Sequence, residues 1–170
     1  MKMITLDDLL LEELQDIYSA ENQMIKALPK LAEAADSGHL HRVFEEHLEQ
    51  THRHVQRIEQ ICEQLDVKPK GKKCMGMEGL VAEAVAVLDT DTEPDVLDAA
   101  LIGIAQRMAH YQIAAYGTIC AHARQLGFMN MADLLHQTLE DNKEIDQRLT
   151  ELAENRVNVE AAMREGNPAV

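Results

Sequence analysis

Six side chains have the types and spacing of an interior metal site: Glu21, Gln50 with His54, Gln112, and Asn142 with Asp146. Carboxylate oxygens suit hard cations such as Fe²⁺ and Mn²⁺, and an imidazole adds a nitrogen donor. Projected at about 100° per residue, Glu21 falls among Leu14, Ile17, Met24, Ile25 and Leu28, on an apolar face. A lone carboxylate there would cost several kcal/mol unless a partner or a cation met it. Further along, His47, Thr51 and His54 form an inward row with Gln50 on its flank. His54 with Gln50, and Asn142 with Asp146, are i, i+4 pairs, whereas Glu21 and Gln112 stand singly. One residue from each of two helices and a pair from each of two others is the layout of a dinuclear carboxylate site. A polar layer satisfied by its own hydrogen bonds accounts for the same residues without a metal, and both readings stand on the residues alone.

A more conspicuous match, Glu49-Gln50-Thr51-His52, has the Glu-x-x-His spacing of carboxylate-bridged bundles. In a chain this rich in Glu and His such a match arises by chance. Glu49 projects about 180° from the centre of its helix's apolar face, beside Glu46, Arg53 and Gln60, so the pair is expected on a solvated surface. An exposed His52 beside Arg53 is thin support for a phosphotransfer histidine.

The elements that must position these residues are helices. Thr5-Leu-Asp-Asp is a helix start, and its apolar stripe runs to about Ala35, where Asp36-Ser37-Gly38 stops it. Pro29 removes one backbone hydrogen bond and predicts a kink beyond Glu21. A second stripe runs from Leu40 to Leu65, before the Lys68-Pro69-Lys70-Gly71 loop. A short helix over about Gly76 to Leu88 follows, then a break at Asp89 to Pro94. A third long helix carries Leu101 to Ala123 and ends at Gly127, and a fourth runs from about Asn130 to Asn155. The pattern predicts an all-α, up-down four-helix bundle over residues 1–157, with one additional short helix between the second and third long helices. Residues 158–170 read as a small, polar, frayed tail.

Composition narrows the function classes. The chain has 170 residues, 46% hydrophobic, which suits a single domain with a substantial core. Lys and Arg total 16 against 30 Asp and Glu, a formal net charge of -14, so a nucleic-acid backbone is repelled. No apolar run approaches a membrane span and the N-terminus is no secretory signal, so no membrane partner and a cytoplasmic location are expected. Cys62, Cys74 and Cys120, odd in number and set in helical patterns, read as reduced thiols.

A family resemblance rests on Ile17-Tyr18-Ser19-Ala20-Glu21, His47-Leu48 with Thr51, Lys73-Cys74 with Met77-Glu78-Gly79-Leu80, Asp98-Ala99-Ala100-Leu101-Ile102, and His110-Tyr111 through Tyr116-Gly117-Thr118. Gln125-Leu126-Gly127 and Lys143 with Asp146 complete it. Over nearly its whole length the chain resembles the YciF/YciE-type bacterial stress proteins of the ferritin-like, rubrerythrin-related group. The resemblance implies a ferritin-like bundle, a homodimer, a role under stress and an interior iron or manganese site.

The chain departs from that family at the site. Relatives tend to read Glu-His-Tyr-Glu where this chain has Ala109-His110-Tyr111-Gln112, and Glu-Glu-Lys where it has Asp141-Asn142-Lys143. Some have Glu where it has Gln50. The changes at Gln50, Gln112 and Asn142 replace a carboxylate with an amide, and that at Ala109 removes the side chain. Clustered carboxylates repel unless a cation neutralises them, whereas amides can hydrogen-bond to one another, to His54 and to Glu21. The expected remnant is at most one iron or manganese ion, or none, held by Glu21, His54 and Asp146, with Gln50, Gln112 and Asn142 as neutral neighbours. Tyr18 and Tyr116 are expected chiefly to pack, with hydrogen bonding or redox steps at the site as the other roles. Two function classes follow: a stress-associated bundle with a degenerate site and little or no redox activity, or a di-iron redox protein acting on oxygen or peroxide.

Overall fold

The computed structural model describes residues 3–163, and within these every regular element is helical. Helix α1, Leu6–Ala34, begins with a capping box in which Thr5 and Asp8 each bind the other's backbone N–H. It runs unbroken through Pro29, which stands on the exposed face, so the backbone tolerates the missing hydrogen bond without interrupting the helix. Helix α2, Gly38–Gln64, has no side-chain cap from Ser37. The buried Asp98 carboxylate, reaching across from the third long helix, accepts the N–H groups of Asp36 and Ser37 at 2.9 and 2.8 Å instead. A short helix α3, Met75–Leu88, precedes α4, Pro94–Gln125, which starts with proline at its first helical position. Helix α5, Met129–Leu152, continues through a π turn, Ala153–Val157, into α6, Asn158–Ala162. The tail expected from residue 158 thus opens with a helical turn, and 164–170 lie outside the described residues.

Two helices end in the same way. Gly127, at φ 83°, lets Phe128 N–H reach Ala123 C=O, and Asp66, at φ 53°, lets Val67 N–H reach Cys62 C=O. Glycine takes the left-handed conformation without penalty, whereas Asp does so because its short polar side chain tolerates it.

Cross-helix contacts set the topology. Glu21 meets His54 while Tyr18 meets Glu59, so α1 and α2 are antiparallel. His110 meets Asp146 while Cys120 meets Ala132, which makes α4 and α5 antiparallel as well. Glu13 with His122 and Asp16 with Tyr111 run α4 against α1. Helices α2 and α4 are therefore parallel, and the segment containing α3 carries the chain back along the bundle between them. A single long crossover of this kind belongs to ferritin-like bundles. The core is mostly aliphatic, with Leu14, Ile17, Met24, Ile58, Met108, Ile119 and Ile145 and the aromatic Phe44 all almost fully enclosed. All three cysteines are free and buried, as expected.

Helix α3 docks closely at its first turn. A Cβ added to Gly76 would lie 2.6 Å from Cε2 of Tyr111, whose hydroxyl donates to Asp16 at 2.7 Å and contacts Cys74 Sγ at 2.9 Å. Gly76→Ala should therefore displace a rigid ring and destabilise the fold by about 1–3 kcal/mol in urea denaturation. Gly103→Ala, with nothing within 4 Å, should instead gain up to about 1 kcal/mol from helix propensity. Equal effects at the two positions would show that the α3 docking contact is unimportant.

Candidate functional site

Four helices place one polar layer across the middle of this apolar core. Glu21 of α1, His47, Thr51 and His54 of α2, Gln112 of α4 and Asn142 of α5 are all fully buried. Each stands on the stripe that its helix turns inward, because residues spaced three and four apart share a face. Glu49 is exposed, as its angular position predicts, and His52, projected to the edge of the apolar face, is exposed as well.

Glu21 is the centre of the layer. Tyr116 donates its hydroxyl to Oε1 at 2.6 Å, and Gln112 Nε2 donates to Oε2 at 2.9 Å. His54 Nδ1 lies 3.5 Å from Oε1, and its Nε2 lies 3.3 Å from Asp141 Oδ2. Neither His54 contact is aligned as a hydrogen bond, so the imidazole acts on both carboxylates mainly through charge. Burial alone would lower the His54 pKa, but the Glu21 charge, reinforced by Asp141, outweighs it and holds the pKa above the ordinary histidine value. Asp141 in turn accepts from Arg57 Nη1 at 2.6 Å. Its pKa is held at about 2, first by His54 and then, against partial burial, by Arg57. A chain of alternating charge thus runs inward from the half-buried Arg57 through Asp141 and His54 to Glu21. Tyr116, whose ring meets the His54 ring edge to face at 6.2 Å, closes it.

The expected ligands are only partly brought together. Glu21, His54 and Gln112 converge, and Asn142 joins the same layer, with its Nδ2 donating to Thr138 C=O. Asp146 does not join them. Its side chain turns toward α4, accepting from Gln106 Nε2 at 3.1 Å and lying 3.1 Å from His110 Nε2. The carboxylate that α5 offers to His54 is Asp141. Gln50 is half-buried at the edge of the layer, and Tyr18 is engaged with Glu59 on the surface side of α1. Asp141 and Arg57 were not among the expected site residues, and Tyr116, expected chiefly to pack, is also the shortest donor to Glu21.

The donor set does not fit a dinuclear centre. Bridging two hard cations requires several carboxylates, and here both oxygens of the one central carboxylate already accept protein donors. Among the described residues no three His, Cys, Asp or Glu side chains are grouped so as to hold a metal ion. What the layer does hold in reserve is neutral. Gln50 Oε1, Gln112 Oε1, Asn142 Oδ1 and both nitrogens of His47 are buried without a hydrogen-bond partner. Burial, with the His54 charge adding to it, lowers the His47 pKa to about 4, so this imidazole is uncharged at neutral pH. The layer can accept a proton or orient a small polar guest, but it lacks the anionic density that multivalent cations require.

Comparison with known proteins agrees with this architecture. Residues 5–162 match the family described as a domain of unknown function, DUF892. Protein YciF of Escherichia coli strain K12 is 46% identical over 162 residues, covering 95% of this chain and 98% of that protein. The crystal structure of the E. coli stress protein YciF superposes with a TM-score of 0.88 over 92% of this chain and 99% of that one. YcfI of Rhodopseudomonas palustris, 38% identical, gives 0.85 over 88% of this chain and 95% of that one. A two-domain protein from Anabaena variabilis with DJ-1/ThiJ/PfpI-like and ferritin-like domains, 18% identical, gives 0.62 over 98% of this chain and 41% of that one, a likeness of fold alone. The chain is a ferritin-like bundle of the DUF892 family and a homologue of the stress protein YciF.

Proposed function

We propose that this protein is a stress-associated ferritin-like bundle whose interior carboxylate site has become a self-neutralised polar layer, taking at most one iron or manganese ion and supporting little or no redox chemistry. One observation carries the reading: Gln112, on the helix facing Glu21, donates a hydrogen bond to it at 2.9 Å. A carboxylate at that position would need a proton or a cation between the two groups, whereas the amide satisfies Glu21 directly. A single ion would have Glu21 and His54 as its charged and nitrogen donors, with the amide oxygens of Gln50, Gln112 and Asn142 nearby. Binding it would require Glu21 to give up Tyr116 or Gln112. The chain is further expected to work as a homodimer in the cytoplasm. Among the described residues no helix is long and apolar enough to cross a membrane, and α3, despite its apolar composition, leaves Met75 and Val85 exposed.

Metal analysis of protein purified from iron-supplemented cells tests the proposal. Well under one equivalent of transition metal is expected from the native chain, which should elute at twice its chain mass. Gln112→Glu with Asn142→Glu should raise uptake severalfold by restoring anionic oxygens. Two equivalents of iron in the native chain would establish the di-iron alternative, and no gain in the double variant would sink the idea that amides replaced ligands.

A further inference from the structure

The loop between α2 and α3 concentrates charge of the wrong sign for this chain. Lys68, Lys70, Lys72 and Lys73 fall within six residues, a quarter of all 16 basic side chains in a protein of net charge -14. A mobile loop would let such charges spread apart, but this one is fastened to α1 at both ends. Gln15 Nε2 donates to Lys68 C=O at 3.0 Å, Ser19 Oγ accepts from Cys74 N–H at 2.9 Å, and Gln23 Nε2 donates to Cys74 C=O at 3.0 Å. These three α1 residues are spaced one turn apart along a single row. Gly71 is pressed onto the same row, where a Cβ would sit 2.5 Å from Gln15 Oε1.

Between the fastened ends the loop and α1 border an open pocket of about 490 Å³, lined by Tyr18, Asn22, Lys26, Lys70, Lys72 and Lys73 among others. Lys72 is paired with Glu12 and Lys73 with Glu78, but Lys26 and Lys70 have no carboxylate within 4 Å among the described residues. The backbone N–H groups of residues 70–73 likewise make no hydrogen bond within the described residues. Lysine side chains and loop residues with unbonded amides line one concavity, and ammonium and amide N–H groups are the donors that recognise phosphate oxygens. The volume suits a small molecule, and the surrounding negative charge disfavours a long polyanion.

We propose that this pocket binds a small molecule bearing a phosphate or pyrophosphate group, with Lys26, Lys70 and the amides of the 70–73 loop as its anion-binding elements. The site lies on the outer side of α1, away from the polar layer, and does not depend on whether that layer binds metal.

Titrating ¹⁵N-labelled full-length protein with pyrophosphate and with ADP in low-salt buffer tests this by NMR. The amides of Lys70, Gly71 and Lys72 should shift with a Kd at or below about 1 mM. Lys26→Gln with Lys70→Gln should weaken binding by at least about tenfold while leaving the rest of the spectrum in place, since both side chains are exposed and unpaired. Lys68→Gln, which removes the same kind of charge outside the pocket, should change it by no more than about twofold. The proposal is overturned if neither ligand shifts these amides, if the double variant binds as the native chain does, or if Lys68→Gln weakens binding equally. Binding to an oligonucleotide or to anionic vesicles without binding of the small phosphates would also overturn it.

Discussion

Replacing His54 with leucine should destabilise the protein by about 3–5 kcal/mol, the cost of breaking a buried ion pair from one side. The side chain is fully enclosed, 3.5 Å from one carboxylate and 3.3 Å from another. Asp141 would keep Arg57 and lose little. Glu21 would keep two neutral donors, Tyr116 and Gln112, but no positive charge. Neutral hydrogen bonds do not compensate a carboxylate in a dry interior, where solvation is lost and the dielectric is low. Adding Glu21→Gln to the leucine variant should therefore recover about half of the loss or more, because the second change removes the stranded charge. Chemical denaturation of the native chain, both single variants and the double variant gives this coupling directly. A His54→Leu variant destabilised by less than about 1 kcal/mol would mean that the imidazole carries no charge that Glu21 needs.

That chain of charge explains which parts of the site could be read from residue order. Glu21, His47, Thr51, His54, Gln112 and Asn142 each interrupt an apolar stripe, and periodicity alone identifies such residues as inward-facing. The same argument placed Glu49 outside and His52 at the edge of the stripe. Periodicity fails between two positions that flank a stripe. Measured from Asn142, Asp146 lies about 40° to one side and Asp141 about 100° to the other. In a square bundle α5 borders both α2 and α4, so its two flanks face different helices. Asp146 falls on the α4 flank and meets Gln106 and His110, whereas Asp141 falls on the α2 flank and meets His54 and Arg57. An i, i+4 pairing motif carries no information about which neighbour lies on which side. Arg57 was inconspicuous because a long side chain can start at a helix edge and deliver its charge to a half-buried seam. The Lys-rich loop was visible as a break, but its attachment to Gln15, Ser19 and Gln23 depends on the crossover path, which local pattern does not specify.

The two buried histidines should give stability a maximum in pH, with each limb assigned to one residue. His54 has a raised native pKa, so its contribution is complete below about pH 6.5 and is lost as pH rises through the native value. His47 behaves oppositely. Its native pKa of about 4 means that the unfolded chain takes up a proton first as the solution is acidified. Stability owed to the neutral His47 is therefore complete above about pH 6.5 and falls away toward pH 4, by roughly 3 kcal/mol. Asp141, with its pKa held at about 2, adds a loss only below the ordinary carboxylate range, so it does not shape the region where the histidines act. Urea denaturation between pH 4.5 and 9 should accordingly show a rise and a fall, with the acid limb reduced in His47→Gln and the alkaline limb reduced in His54→Gln. Glutamine keeps a polar side chain in each position but cannot titrate, so the two variants separate loss of charge from loss of packing. If both variants keep the native profile, neither histidine changes protonation on unfolding, and the opposed environments assigned to them along α2 cannot be correct. If only the acid limb responds, His47 is neutral and unsolvated as described, but His54 is not the cation that balances Glu21.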